Sequence, residues 1–284
     1  MAIQSTRIPR GDVTAQISFF SPPPDGSRPY NLVRDPKPGE APRNFSDNFQ
    51  PTQIHDIRGA EDTLTLDHDS VAIVRNLPPS AEQDFLDDAS IEAKFYPEVE
   101  DLLLKHVPGS DKVVIFDHTI RRTDPNAARS PVLRAHIDQT PKAVAARVRR
   151  HLPAEEAEER LKGRYRIINV WRPLNKTPLE SFPLAFASSA TVKDEDVVPV
   201  RHIYETFEGE TAAIAFHPEQ KWYYLSGMTG DERLLLQCFD SEALKEGSEV
   251  RGGRLAHTAF EHPGSLPDAE GRESIEVRAL VFGP

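Results

Sequence analysis

Cysteine is nearly absent from this chain: Cys238 stands alone among 284 residues. A lone cysteine forms no internal disulfide, which excludes a stapled secreted scaffold. Its setting in the apolar run LLLQCF (234–239) reads as a small buried hydrophobe rather than a catalytic thiol. Positive charge is scarce as well. Lysine and arginine total 34 against 45 acidic residues, a formal net charge of −11, and basic runs do not exceed pairs such as Arg149-Arg150. Such a chain lacks the electrostatic footprint of a nucleic-acid binder. Long apolar runs are missing too: none approaches the roughly 18 residues of a membrane-spanning helix. The opening MAIQSTRIPRGDV carries no apolar stretch of a signal peptide, so the expectation is a cytoplasmic protein without membrane contact. No glycine-rich loop announces a nucleotide cofactor.

What the chain does hold is enough apolar residue, 38%, to bury a sizeable core. Its 25 prolines cluster early, in SPPPDGSRPY (21–30) and RDPKPGEAPRN (34–44). Proline fixes φ and biases its predecessor away from helix, so residues 1–50 are expected as an extended arm over the core. Phe19, Phe20, Tyr30 and Phe45 are its candidate anchors. Residues 52–75 alternate apolar and polar around Gly59 and predict two short strands. Residues 80–107 carry Phe85, Leu86, Ile91, Phe95, Val99, Leu102 and Leu103 near helical spacing, and Pro108-Gly109 ends that stretch. KVVIFDHTIRR (112–122) reads as a strand. A second helix is predicted over 140–163, with Thr140 as N-cap and Pro141 in the first turn.

Beyond it come seven short β-rich segments: RYRIINVWRPL, DVVPVRHIYE, AAIAFHP, KWYYLSGM, RLLLQCFDS, RLAHTAF and SIEVRALVF. Helices followed by an all-β half suggest a mainly β fold, a jelly roll with flanking α-helices, formed by residues 51–284 as one domain.

The chemistry concentrates in PVLRAHIDQT (131–140), where His136 and Asp138 form His-x-Asp. On a strand, residues two apart share a face, so both can aim at one ion. Two histidines and one carboxylate suit non-haem Fe(II), because three adjacent coordination positions stay open. His257, in RLAHTAF, is the preferred third ligand; His217 and His202 are its rivals. Farther on, Arg272 and Ser274 precede Glu276 and Arg278 on one face of a strand, with Ile275, Val277 and Ala279 on the other. A guanidinium forks onto a carboxylate and a hydroxyl adds a bond, which suits a dicarboxylate co-substrate. Arg278 competes with Arg272 for that role. The order His-x-Asp, distant His, Arg-x-Ser resembles the pattern of 2-oxoglutarate oxygenases. Arg121, Arg122, Asn169, Trp171 and Arg172 lie in or beside strands and are candidate substrate contacts, the arginines favouring a small polar or carboxylate-bearing molecule.

The pieces HDIRGAEDTLTLD, FYPEVEDLLLKHV, FDHTIRR, RAHIDQT, RYRIINVWRPL, KWYYLSGM, LLLQCFDS, HTAFEHP and RESIEVRALVF cover most of the chain. Together they resemble the gibberellin-desaturase-like family, which takes in hydroxylase/desaturases of the asaB type and the cephamycin hydroxylating component. The resemblance implies a double-stranded β-helix, Fe(II), 2-oxoglutarate and dioxygen. It also implies hydroxylation, desaturation or oxidative cyclisation of a small secondary-metabolite or amino-acid-like substrate. One departure is Lys221, where relatives often carry histidine before the WYY segment. A cupin-like metalloprotein without oxygenase activity, or an isomerase on the same jelly roll, is the alternative reading.

Overall fold

The structure is a computed structural model that describes residues 8–124 and 126–283. Among these, the strands in chain order begin with β1 (Val13–Ser21), β2 (Tyr30–Leu32), β3 (Ser46–Asp56), β4 (Val71–Val74) and β5 (Lys112–Arg122). Next come β6 (His136–Ile137), β7 (Tyr165–Pro173), β8 (Leu184–Ala187), β9 (Val197–Ile203) and β10 (Glu208–Ile214). The last are β11 (Trp222–Tyr224), β12 (Arg233–Asp240), β13 (Ala256–Ala259) and β14 (Glu273–Phe282). The helices are α1 (Leu66–Asp69), α2 (Asp88–His106), α3 (Pro141–His151) and α4 (Ala154–Arg160). No helix among the described residues is long and apolar enough to cross a membrane.

The strands form two sheets. One runs β1-β3-β11-β8-β13-β6-β10-β9-β2 and the other β4-β12-β7-β14-β5. All seven segments read as β-rich contain strands, and β14 keeps the expected alternation. Its Ile275, Val277, Ala279 and Val281 pack with Ile91, Phe95, Val99 and Leu103 of α2 in one apolar cluster. Leu280 and Phe282 instead join a second cluster, with Leu184 and Phe186 of the larger sheet and Val144 and Val148 of α3. The smaller sheet is thus covered by α2 on one face and packed toward the larger sheet on the other.

Three local expectations change. Helix α2 starts at Asp88, where the Asp87 side chain accepts from Ser90 N, and not at residue 80. The preceding turn holds Phe85 at φ 50°, outside helical geometry, and leaves Leu86 exposed. The second helix is capped by Thr140 with Pro141 in its first turn, as expected, but splits into α3 and α4 at Leu152-Pro153. The proline ring excludes a continuous helix there. Of the two short strands expected around Gly59, β3 is longer, 11 residues from Ser46, and enters the nine-stranded sheet, whereas the short β4 enters the five-stranded one.

Residues 1–7 of the expected arm lie outside the described residues, and residues 8–50 are likewise more than an arm. Strand β1 pairs antiparallel with β3 from Val13↔Ile54 to Ser21↔Ser46, and residue 50 lies inside β3. The alternating apolar pattern of β1 outweighs the proline clusters at 21–30 and 34–44, most of whose prolines lie between the strands. Phe19, Phe20 and Phe45 are buried, and Tyr30 sits half-buried in β2.

Candidate metal centre between the two sheets

His136 and His257 occupy directly opposed positions on β6 and β13, their ring centroids 4.5 Å apart. Opposed residues on adjacent strands project from the same face. Asp138 follows two residues after His136, with Oδ1 3.4 Å from His136 Nε2. One donor atom from each of the three lies within 4.8 Å of the other two, the one such cluster of metal-ligating side chains found among the described residues.

The hydrogen bonds select the histidine tautomers. His136 Nδ1 sits 2.8 Å from the Arg134 carbonyl and His257 Nδ1 3.2 Å from the Leu255 carbonyl. A carbonyl only accepts, so each Nδ1 carries the hydrogen and each Nε2 keeps its lone pair for an ion. Burial, reinforced by neighbouring His136, pushes His257 down to about 4 and keeps it neutral. Burial alone would raise Asp138; contact with His136 and the proximity of His257 and Arg278 nevertheless hold it well below the usual carboxylate range. Two imidazoles and a carboxylate fit a divalent first-row metal with positions left open.

A small cavity of about 30 Å³ adjoins this cluster. Arg272 and Ser274 line it, each 1% exposed. Arg272 Nη1 donates to the Phe182 carbonyl at 2.9 Å and the guanidinium lies over Trp171. Its Nε is buried without a partner, and among the described residues no carboxylate pairs with it. Burial, with Arg121 nearby, pulls Arg272 down to about 9. A buried guanidinium in this condition calls for an anion. Arg278 is differently placed: its Nε donates to Asp117 Oδ1 at 2.6 Å and its Nη2 to Thr119 Oγ1 at 2.9 Å.

The five candidate substrate contacts separate. Arg121 and Trp171 line the cavity, with Arg121 Nη1 donating to the Ser130 carbonyl at 3.0 Å. Asn169 lies behind Asp138, its Nδ2 donating to Oδ2 at 2.7 Å. Arg122 and Arg172 are not among the residues that line the cavity. Arg122 Nε pairs with Glu273 Oε2 at 2.8 Å, and Arg172 lies over the rings of Phe85 and Phe95, under α2. Alternation is the reason: Arg122 and Arg172 are each one residue out of phase with Arg121 and Trp171. His217 lies elsewhere, 3.2 Å from Lys193 Nζ, and His202 bonds Thr211 at 2.8 Å. Sequence reasoning passed over Thr119 and Glu276 as cavity residues. Both were legible by period, since Thr119 shares the phase of Arg121 and Glu276 that of Ser274.

The family model described as "Oxidoreductase/YMDC permease-like domain" matches residues 17–282. The hydroxylase/desaturase poxK of Penicillium oxalicum is 38% identical over 300 residues, covering 96% of this chain and 92% of the relative. The Fe(II)/2-oxoglutarate-dependent dioxygenase nvfI of Aspergillus novofumigatus is 35% identical over 273 residues, covering 93% and 95%. Among solved structures, the iron and alpha-ketoglutarate-dependent endoperoxidase NvfI superimposes with a TM-score of 0.85 at 31% identity, covering 97% of this chain and 99% of that one. With the family model matched over residues 17–282 and these relatives aligned over nearly the whole chain, this chain belongs to that oxidoreductase family, which it shares with hydroxylase/desaturases and Fe(II)/2-oxoglutarate-dependent dioxygenases.

Proposed function

We propose that this protein is an Fe(II)- and 2-oxoglutarate-dependent oxygenase in which His136, Asp138 and His257 hold the iron, acting on a small secondary-metabolite or amino-acid-like substrate. The observation that carries this reading is the convergence of the three donor atoms within 4.8 Å, with both imidazoles presenting Nε2. When bound, iron with 2-oxoglutarate and dioxygen supplies the oxidant that breaks an unactivated C–H bond. The residues of the chain do the rest. Arg272, with Ser274 beside it, binds the far carboxylate of 2-oxoglutarate through its unpartnered edge and so orients the keto acid toward the iron. The commitment of Arg278 to Asp117 favours Arg272 for this role. Arg121 and Trp171 border the space left for substrate, and Val132 and Leu184 are apolar members of a mostly polar wall.

The test is anaerobic loading with Fe(II), 2-oxoglutarate and candidate metabolites, followed by oxygen. Succinate should appear in step with a substrate mass change of one oxygen gained or two hydrogens lost. Metal-dependent conversion without oxygen or succinate would instead support an isomerase or another non-oxygenase.

A further inference from the structure

We propose that Asn169 is a positioning residue that restricts Asp138 to binding the metal through one oxygen, leaving the coordination sphere open for the co-substrate. The inference rests on the assignment of His136, Asp138 and His257 as ligands. The two oxygens of Asp138 meet different surroundings. Oδ1 faces His136 Nε2 at 3.4 Å, on the side where the donor atoms converge. Oδ2 accepts from Asn169 Nδ2 at 2.7 Å. Asn169 is fully buried on β7, between Leu236 of β12 and Arg278 of β14.

The amide orientation is dictated by its partner. Turning it over would set Oδ1 against a carboxylate oxygen, acceptor against acceptor, so Nδ2 must face Asp138. Among the described residues Asn169 Oδ1 has no hydrogen-bond partner, which leaves the bond to Asp138 as the one hydrogen bond the amide makes there. A buried amide is costly unless it is used.

The nearest cation does not take over this task. Arg278 Nη1 stands 4.0 Å from Asp138 Oδ2, beyond hydrogen-bond range, because its Nε and Nη2 are drawn to Asp117 and Thr119. A bidentate guanidinium would compete with the metal for the carboxylate. A single neutral amide withdraws one oxygen and leaves the charge available to the ion. Partners of this kind orient ligands and tune the metal, and their loss typically costs about 10- to 100-fold in metal affinity.

The test is anaerobic Co(II) titration of the full chain, read by its visible absorption spectrum, with no turnover required. Asn169→Leu keeps the side-chain volume and removes the donor; Asn169→Ala serves if that variant does not fold. The expected result is a Co(II) Kd raised about 10- to 100-fold, with weaker absorption per ion as the freed second oxygen enters the coordination sphere. Wild-type Kd and spectrum in a folded variant would overturn the inference, even if its thermal midpoint fell. A wild-type protein that binds Co(II) no better than Asp138→Ala would overturn the ligand assignment itself.

Discussion

Arg272, just ahead of β14, and Arg278, within it, share one phase of the alternation but end in different electrostatic company. Arg278 is satisfied by Asp117, whereas Arg272 is buried over Trp171 with its Nε unpartnered. Arg272→Lys keeps the charge and loses the planar fork. Losing a charge-assisted hydrogen bond costs about 1.5–3 kcal/mol, so the apparent KM for 2-oxoglutarate should rise roughly 10- to 100-fold. An unchanged KM would move the role to Arg278. Arg121, Arg122 and Arg172 are equally informative as a set. Arg121→Gln should impair turnover because its guanidinium borders the cavity. Arg122→Gln and Arg172→Gln should leave co-substrate kinetics intact, since one pairs with Glu273 and the other lies under α2. Equal kinetic damage from all three would contradict this division. The identity of these candidates was readable in the sequence. Their direction was not, because one residue of strand phase turns a side chain to the opposite face.

At the scale of elements, the site depends on two short strands and on what braces the sheet beneath them. β6 contributes only His136 and Ile137, and it is held between β10 and β13. α2 braces the smaller sheet from outside through Ile91, Phe95, Val99 and Leu103. Phe95, 1% exposed, packs edge-on against Phe85 and lies under the guanidiniums of Arg172 and Arg233. Phe95→Ala should therefore destabilise the protein by about 3–5 kcal/mol, measured by urea unfolding. A loss below about 1 kcal/mol would mean that the sheet holds its shape without α2. The helical period was legible in this segment, yet its start was not. Phe85 fits the helical spacing as a letter, but its φ of 50° and the Asp87 cap place it in a turn. Spacing does not distinguish an apolar residue on a helix from one in a turn that packs against the same core.

The whole molecule sets the pH response, since it is the closing of two sheets around His257 that removes this residue from water. Its folded value, near 4 against 6.5 for a free imidazole, means that the unfolded chain binds the proton more readily between those values. Stability from this group is therefore complete above about pH 6.5 and is lost as pH falls toward 4, by on the order of 3 kcal/mol. The thermal midpoint of metal-free protein should drop over that window, and His257→Gln should show a shallower drop. Identical pH profiles for the two would contradict the burial argument. Metal binding works in the same direction: an ion at 100 times its Kd adds about 2.7 kcal/mol to the folded state.

The sequence by itself determined the candidate His-x-Asp pair, the alternating face of β14 and the β-rich second half, because these depend on residues close together along the chain. Tertiary structure decided what pairs with what. His257 lies opposite His136 only because β13 and β6 are neighbours in the larger sheet, 121 residues apart in the chain, and no local period encodes that register. The same holds for Asn169 behind Asp138, Asp117 beside Arg278, and β3 and β4 in separate sheets. Each is a contact between distant segments, and which partner a buried polar group meets is settled by the packing of the sheets rather than by its neighbours in sequence.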